Sequence, residues 1–441
     1  MTHFTKGPFL LTFILFLAIT NCISQDALIT SKINYYKKKA DTFLDKEKAL
    51  YKHYSIDNKG ISIYETHQKK LKNDFEFHIA WEDMDDFNDC YKKITYRQIF
   101  EIYSKGGNYQ KVATSYHSSI NADTKAPRPV RDKKKLNGLK IAIDPGHIAG
   151  DMEMGDIEKK CLNFEVSGLN GKQDSIAIAE GALTFATAKL LKNKLEEEGA
   201  EVFMTRAFNS SSAFGLTFDN WLISNFKTTV DSFQKAGKIT ISQKQFFLND
   251  KASKRDKFRV IFKELELAKR AEIINNYKPD LTIIIHYNVD ESNTGWTKPT
   301  NKNFNMAFVG GAFCKNDLTT AEKRFAFLRL LLSSDLEKSI LLSAEMMKSC
   351  EKNLNVKTAE KKDAKYLSEG CLSAGKPGVY CRNLQLTRCV NGPLVYGETL
   401  YQDNINECIA LNRNTDKTKN IRVQQVAEAY FQGVLNFVAN Q

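Results

Sequence analysis

The larger part of this 441-residue chain predicts an α/β fold, a three-layer sandwich with a mostly parallel central sheet flanked by helices. Three observations lead there. Apolar, β-branched runs alternate with stretches of helical period from residue 139 onward, as repeated strand–helix units do. Three of those runs lead into a histidine or a glutamate, which places polar chemistry at strand ends. With 42% apolar residues the chain has material for more than one core, so a second domain is expected before residue 139.

The elements follow in order. Lys6 precedes an apolar run at 8–20, the length of a signal-peptide core and short for a permanent membrane helix. Residues 1–24 therefore read as a leader, and the chain as exported to the periplasm or cell envelope. Cleavage after Ser24 is one reading. Residues 19–22 also resemble a bacterial lipoprotein processing site, with Asn21 where a small residue is usual, and Cys22 would then carry the lipid. No later segment is apolar enough to cross a membrane, so that anchor is the one membrane contact the sequence offers. Residues 25–122 combine a lysine-rich helical start with strand-like runs at 60–64 and 75–80, a small α+β domain of unknown role. Its histidines, His53, His67, His78 and His117, lack ligand-like spacing. Residues 123–138, with two prolines and a charge run, read as a linker.

After the linker a strand at 139–143 stops on the turn Asp144-Pro145-Gly146 and delivers His147. A polar excursion leads to a helix whose Leu183, Ala186, Leu190, Leu191 and Leu195 recur at helical spacing, and Gly199 ends it. A strand at 201–205 follows. Two lysine-rich helical stretches run into a helix at 265–275, and a strand at 281–288 carries His286 near its end. A strand at 305–309, a helical stretch around 325–332 and an apolar run at 393–396 leading through Gly397 to Glu398 complete the pattern. There is no internal repeat. In open parallel sheets ligands gather outside the carboxyl ends of strands, so His147, His286 and Glu398 can converge, and two histidines with a carboxylate suggest a metal.

Charge and cysteines narrow the classes. Lys and Arg number 64 against 52 Asp and Glu, a formal +12 that favours anionic surfaces or polymers. No arginine-rich helix or nucleic-acid signature accompanies it, so nucleic acid is not an expected partner. Of nine cysteines, eight remain once Cys22 is removed or lipidated, an even set that permits disulfides in an exported chain. Their pairing cannot be read from the sequence, and without a CxxC pair a structural zinc ribbon is not expected.

A set of motifs then carries a family resemblance. These are Asp144-Pro145-Gly146-His147; Glu180 opening a helix with Phe185 and Ala188 behind it; Thr205-Arg206 closing a strand; Arg270 with Asn275 before the strand of His286 and Asn288; and Glu398 followed by Tyr401, Asn404 and Glu407. In this order they resemble the zinc-dependent N-acetylmuramoyl-L-alanine amidases over about 139–440. The resemblance implies a zinc held by His147, Glu180 and His286, with Glu398 as general base and acid. The bond cleaved would be the amide between muramic acid and the L-alanine of the peptidoglycan stem peptide. Glu153, Glu158 and Glu165 rival Glu180 as the third ligand, but Glu180 alone stands at the start of an amphipathic helix. Asn288 is expected to support the site by hydrogen bonding, and Arg270 to make either a structural ion pair or a substrate contact.

The stretches at 207–262 and 312–390 are longer than most relatives have and read as insertions within a catalytic domain at 139–441. Some members of the family block the zinc with an inserted helix until a partner removes it, so the resemblance extends to an activator protein or an autoinhibitory insertion. The plainer reading, preferred here, makes the Leu-rich run at 325–333 an added core helix. Besides the amidase, a zinc peptidase acting on another amide and a catalytically silent wall-binding module remain as functions, although retention of all four site residues argues against silence.

Overall fold

The protein is described by a computed structural model covering residues 26–91, 134–167, 173–249 and 251–441. The leader with Cys22, His117 and linker residues 123–133 lie outside the described residues. The chain divides into two compact units, one of the residues up to Thr124 together with Phe313–Ser333, the other of Lys125–Ala312 and Ser334–Gln441.

In the first unit β1 (Tyr54–Asp57), β2 (Gly60–Ile63) and β3 (Phe77–Ala80) form an antiparallel sheet. The turn into β2 requires glycine, because Gly60 has φ of +145° and a Cβ there would lie 2.2 Å from the Ile79 carbonyl oxygen. The helix Ala321–Leu332 belongs to this unit. Its Phe325 ring lies 5.8 Å from Phe77 and 6.0 Å from Phe87, and Phe327 lies 5.2 Å from Tyr54. The Arg324 guanidinium donates to Glu76 at 2.9 Å. The stretch read from sequence as one insertion at 312–390 is thus divided among different roles. Residues 313–333 complete the first unit, while the helix Asp335–Leu354 and the strands after it build the second. The reason is physical: the helix Ala321–Leu332 is buried without interruption from Arg324 to Leu332 and so is covered on every side, but periodicity does not say by what.

The second unit holds β4 (Lys140–Pro145), β5 (Cys161–Ser167), β6 (Gln173–Ala179), β7 (Glu201–Met204), β8 (Leu281–Asn288), β9 (Met306–Val309), β10 (Leu372–Lys376), β11 (Val379–Cys381) and β12 (Leu394–Tyr401). Seven of them form one sheet in the order β10-β11-β9-β12-β8-β4-β7. β7, β4, β8 and β12 run parallel, β9 lies antiparallel to β12, β11 parallel to β9, and β10 closes the edge as an antiparallel partner. The expected α/β sandwich is therefore present. On one face the helices Glu180–Glu197, Asp335–Leu354 and Ile421–Ala439 pack together and onto the sheet. On the other, Ala142, Ile284 and Leu394 meet Ala271 and Ile274 of the helix Lys263–Tyr277 and Leu386 of the helix Gln385–Cys389. β5 and β6 form a separate hairpin in the excursion after His147.

The stretch at 207–262 builds its own aromatic core from Phe218, Trp221, Phe226, Phe233, Phe247, Phe258 and Phe262. That core is seated on Ile148, Ala149 and Met154, in the loop and helix that follow His147. Cys161, Cys314, Cys350, Cys381 and Cys408 are thiols. Among the described residues no helix is long and apolar enough to cross a membrane.

Candidate metal centre

Sheet order makes neighbours of the three strands that bear the polar residues, since β12, β8 and β4 are adjacent and parallel. His147 follows the end of β4 in a left-handed conformation, φ of +57°. His286 lies within β8, in register with Glu398 on β12. Contrary to the sequence reading, β12 does not stop before Glu398 but continues to Tyr401, with a register shift after Glu398 and Leu400 at φ of +59°. The bend is possible because side chains replace ladder partners: the Leu400 amide donates to Asn305 Oδ1 at 3.2 Å and the Tyr401 amide to Asn303 Oδ1 at 3.0 Å.

Glu180 is the first residue of the helix Glu180–Glu197 and is 1% exposed. His286 Nδ1 lies 3.2 Å and His147 Nε2 3.4 Å from Glu180 Oε1. One nitrogen or oxygen from each of these three residues falls within 4.8 Å of the others, the spacing a single cation can span. Glu180 Oε2 is buried with no hydrogen-bond partner, and a buried carboxylate oxygen left so is costly unless a cation completes it. The donor set of two imidazoles and a carboxylate suits zinc, so the residues present fit that ion.

Glu158 supplies what a bare ligand set would lack. Its Oε1 accepts from His147 Nδ1 at 2.7 Å, and its Oε2 accepts from the Ile148 and Ala149 amides, both at 3.0 Å. That bond fixes the imidazole tautomer and turns Nε2 toward Glu180. The named rivals of Glu180 are thereby separated: Glu158 orients, Glu153 is exposed and pairs with Lys254, and Glu165 is exposed on β5. Burial lowers the His147 pKa well below the usual histidine value, which favours the neutral ring. Burial works to raise the Glu180 carboxyl, but His147, Lys160 and His286 outweigh it and hold it at about 2. Lys160 Nζ stands 3.6 Å from Glu180 Oε2 and 4.7 Å from the centre of the Trp296 ring.

His286 is held by its surroundings. Its ring stacks on Tyr396 at 4.6 Å with an angle of 6° between planes, and meets His147 edge-on at 4.7 Å. A Cβ on Gly146 would lie 2.2 Å from that ring, so only glycine allows the loop to pass. Glu398 shares a sheet face with Tyr396, two residues earlier. Burial raises its carboxyl to about 7, with Glu180 adding to the shift and His286, Lys160 and Arg382 opposing it.

The remaining candidates lie around this centre. Arg270, 2% exposed, donates to Glu266 at 2.7 Å, to Asp144 at 3.3 Å and to the Pro145 carbonyl at 2.8 Å. Arg206 donates to the same carbonyl at 3.2 Å, and Thr184 Oγ1 donates to the Gly146 carbonyl at 2.6 Å. These residues brace the turn before His147. Asn288 donates to the Tyr366 hydroxyl at 2.8 Å, beyond the end of the cluster. Asn404 caps the helix Ile405–Asn412, and Glu407 pairs with Arg422 at 2.6 Å. Sequence reasoning missed Tyr396, Lys160 and Arg382. An aromatic in an apolar strand reads as core, and a lone basic residue in a polar stretch reads as surface.

Fold and cluster together define an α/β protein whose neighbouring strand ends present a His-Glu-His group shaped for a divalent cation. Residues 141–436 match the family model described as N-acetylmuramoyl-L-alanine amidase, and the chain belongs to that family. Among solved structures it resembles the CwlD amidase of Clostridioides difficile in complex with the GerS lipoprotein, at 16% identity over 69% of this chain and 100% of that one, TM-score 0.37. It also resembles the amidase Ami1 of Mycobacterium smegmatis, at 14% identity over 69% of this chain and 99% of that one, TM-score 0.37. The catalytic domain of CwlV from Bacillus (Paenibacillus) polymyxa var. colistinus is 14% identical over 69% of this chain and 99% of its own, TM-score 0.35. No curated protein matches.

Proposed function

We propose that this protein is a zinc-dependent hydrolase of the cell envelope that cuts the amide between N-acetylmuramic acid and the L-alanine of the stem peptide. The observation that carries the reading is the convergence of His147, Glu180 and His286, in a chain of the amidase family, around a buried carboxylate oxygen that accepts no hydrogen bond. Those three residues would hold the ion. Bound there, zinc supplies Lewis acidity toward water and toward the amide carbonyl.

The chain's own residues do the rest. Glu158 holds the His147 ring in place with Nε2 toward Glu180, while burial favours its neutral form, and Tyr396 and Gly146 confine the His286 ring. Glu398, on the neighbouring strand and not part of the cluster, takes the proton from the attacking water and delivers it to the nitrogen of the leaving alanine. The turn braced by Arg206 and Arg270 keeps these groups in place through turnover.

Digestion of purified sacculi with mass analysis of the products tests the reading. Release of intact stem peptides with a free amino-terminal alanine is expected. Cuts within the stem peptide would replace the amidase with a general zinc peptidase, and binding without release would replace it with a silent module. The reading also places the protein outside the cytoplasmic membrane, with its first residues removed at Ser24 or at Cys22. Mass analysis of the native amino terminus in envelope fractions decides between the two, and an uncleaved terminus in the cytoplasm would overturn export.

A further inference from the structure

A row of rings crosses the sheet from the His-Glu-His group. His286 stacks on Tyr396 at 4.6 Å, Tyr396 lies 6.1 Å from Phe308 on β9, and the Arg382 guanidinium lies 4.9 Å from the centre of Phe308. Tyr366 covers the same guanidinium from another side, also at 4.9 Å. Arg382 follows the last residue of β11, where its own amide donates to the Val309 carbonyl. The guanidinium sits in the corner made by these two rings, whose centres are 6.4 Å apart, and is half-buried, yet it donates to no carboxylate among the described residues. Arginines elsewhere in this unit, such as Arg270 and Arg422, are satisfied by carboxylates within 3 Å. A planar fork set against two aromatic rings and without a hydrogen-bond acceptor among the described residues is prepared for an anion from outside.

We propose that Arg382 is a specificity-determining residue that pairs with a carboxylate on the substrate peptide, borne by the residue that follows the alanine. The inference rests on the amidase reading. In that substrate the lactyl carboxyl is consumed in the scissile amide and the amino sugar is N-acetylated, so the remaining carboxylates lie on the peptide side. β11 is two strand spacings from β12, about 10 Å from the strand of Glu398. An extended residue covers roughly 3.5 Å, so an acidic side chain one residue beyond the alanine has the reach to bridge that gap. The Arg382 charge already acts on Tyr396 and Glu398, which puts it within electrostatic range of the bond to be cut.

The test uses the mature, zinc-loaded protein and two synthetic N-acetylmuramoyl peptides that differ only in whether the residue after alanine carries a free carboxylate or its amide. The parent should favour the carboxylate by about tenfold or more in kcat/KM, chiefly through KM, as a charge-assisted bidentate pair would give. Arg382→Gln should bring the ratio to near one by raising KM for the carboxylate alone, and Arg382→Lys should recover part of it. Unchanged melting temperature and zinc content would show that these variants fold. Equal cleavage of both peptides by the parent, or an Arg382→Gln variant that slows both alike, overturns the role of Arg382 and leaves the amidase reading standing. Cleavage of neither by the parent overturns both.

Discussion

Glu158 and Glu180 are chemically identical, and only their surroundings separate them. One accepts from His147 Nδ1 and two backbone amides, so its oxygens are spent, while the other keeps a buried oxygen open. From this, Glu158→Gln should leave the fold intact and weaken zinc affinity by about 10–100-fold, the usual cost of losing a group that orients a ligand histidine, as read by competition with a chelator. His147→Ala or His286→Ala should abolish stoichiometric zinc, and full occupancy in either would refute the assignment. Glu398→Gln should keep zinc and lose about 10²–10⁴-fold in turnover, and activity within a few-fold of the parent would remove Glu398 from the proposed mechanism. The two histidines and Glu398 were legible in the sequence because each ends or interrupts an apolar run. Glu180 was legible by its place at a helix start. The role of Glu158 was not, because it depends on the helix Met152–Glu158 folding back onto the loop that carries His147.

Among the elements, the alternation of apolar and helical segments gave away the parallel strands and the helix Glu180–Glu197, because burial on both faces leaves continuous apolar runs. β5 and β6 escaped notice since one face of the hairpin is solvated and its residues look like loop. β11 was too short to register, and β10, mostly solvated with a glycine and a lysine among its five residues, lacks an apolar run. The aromatic stretch at 207–262 was visible as helices, but its seat on Ile148, Ala149 and Met154 was not. That seat ties its packing to the loop that follows His147. Phe262, fully buried with Trp221 at 4.8 Å and Phe218 at 4.9 Å, is the centre of this core. Phe262→Ala should cost about 3–5 kcal/mol in urea unfolding. The same variant should bind zinc more weakly, because the Glu158–His147 geometry is built on that loop, and unchanged zinc affinity would show the insertion to be mechanically separate from the site.

At the scale of the whole molecule the first unit's boundary at Thr124 falls inside the stretch that composition marks, but one later segment does not follow that division. A boundary near the prolines at 123–138 is what composition supports, and by that measure everything from 139 onward would be one domain. Instead Phe313–Ser333 is exchanged into the first unit, where Phe325 and Phe327 enter an aromatic core with Tyr54, Phe77 and Phe87. Composition marks linkers, but it is blind to a segment that leaves one core for another and returns. A protein shortened to begin at residue 125 would therefore keep the helix Ala321–Leu332 without its cover, leaving nine residues that are buried in the whole chain facing water. That protein should aggregate or bind a hydrophobic dye strongly. Replacing residues 313–333 of the same shortened chain with a short glycine-serine connection should restore solubility together with stoichiometric zinc. If the first shortened form is as soluble and as poor in dye binding as the second, the exchanged helix does not depend on the first unit, and the division into these two units fails.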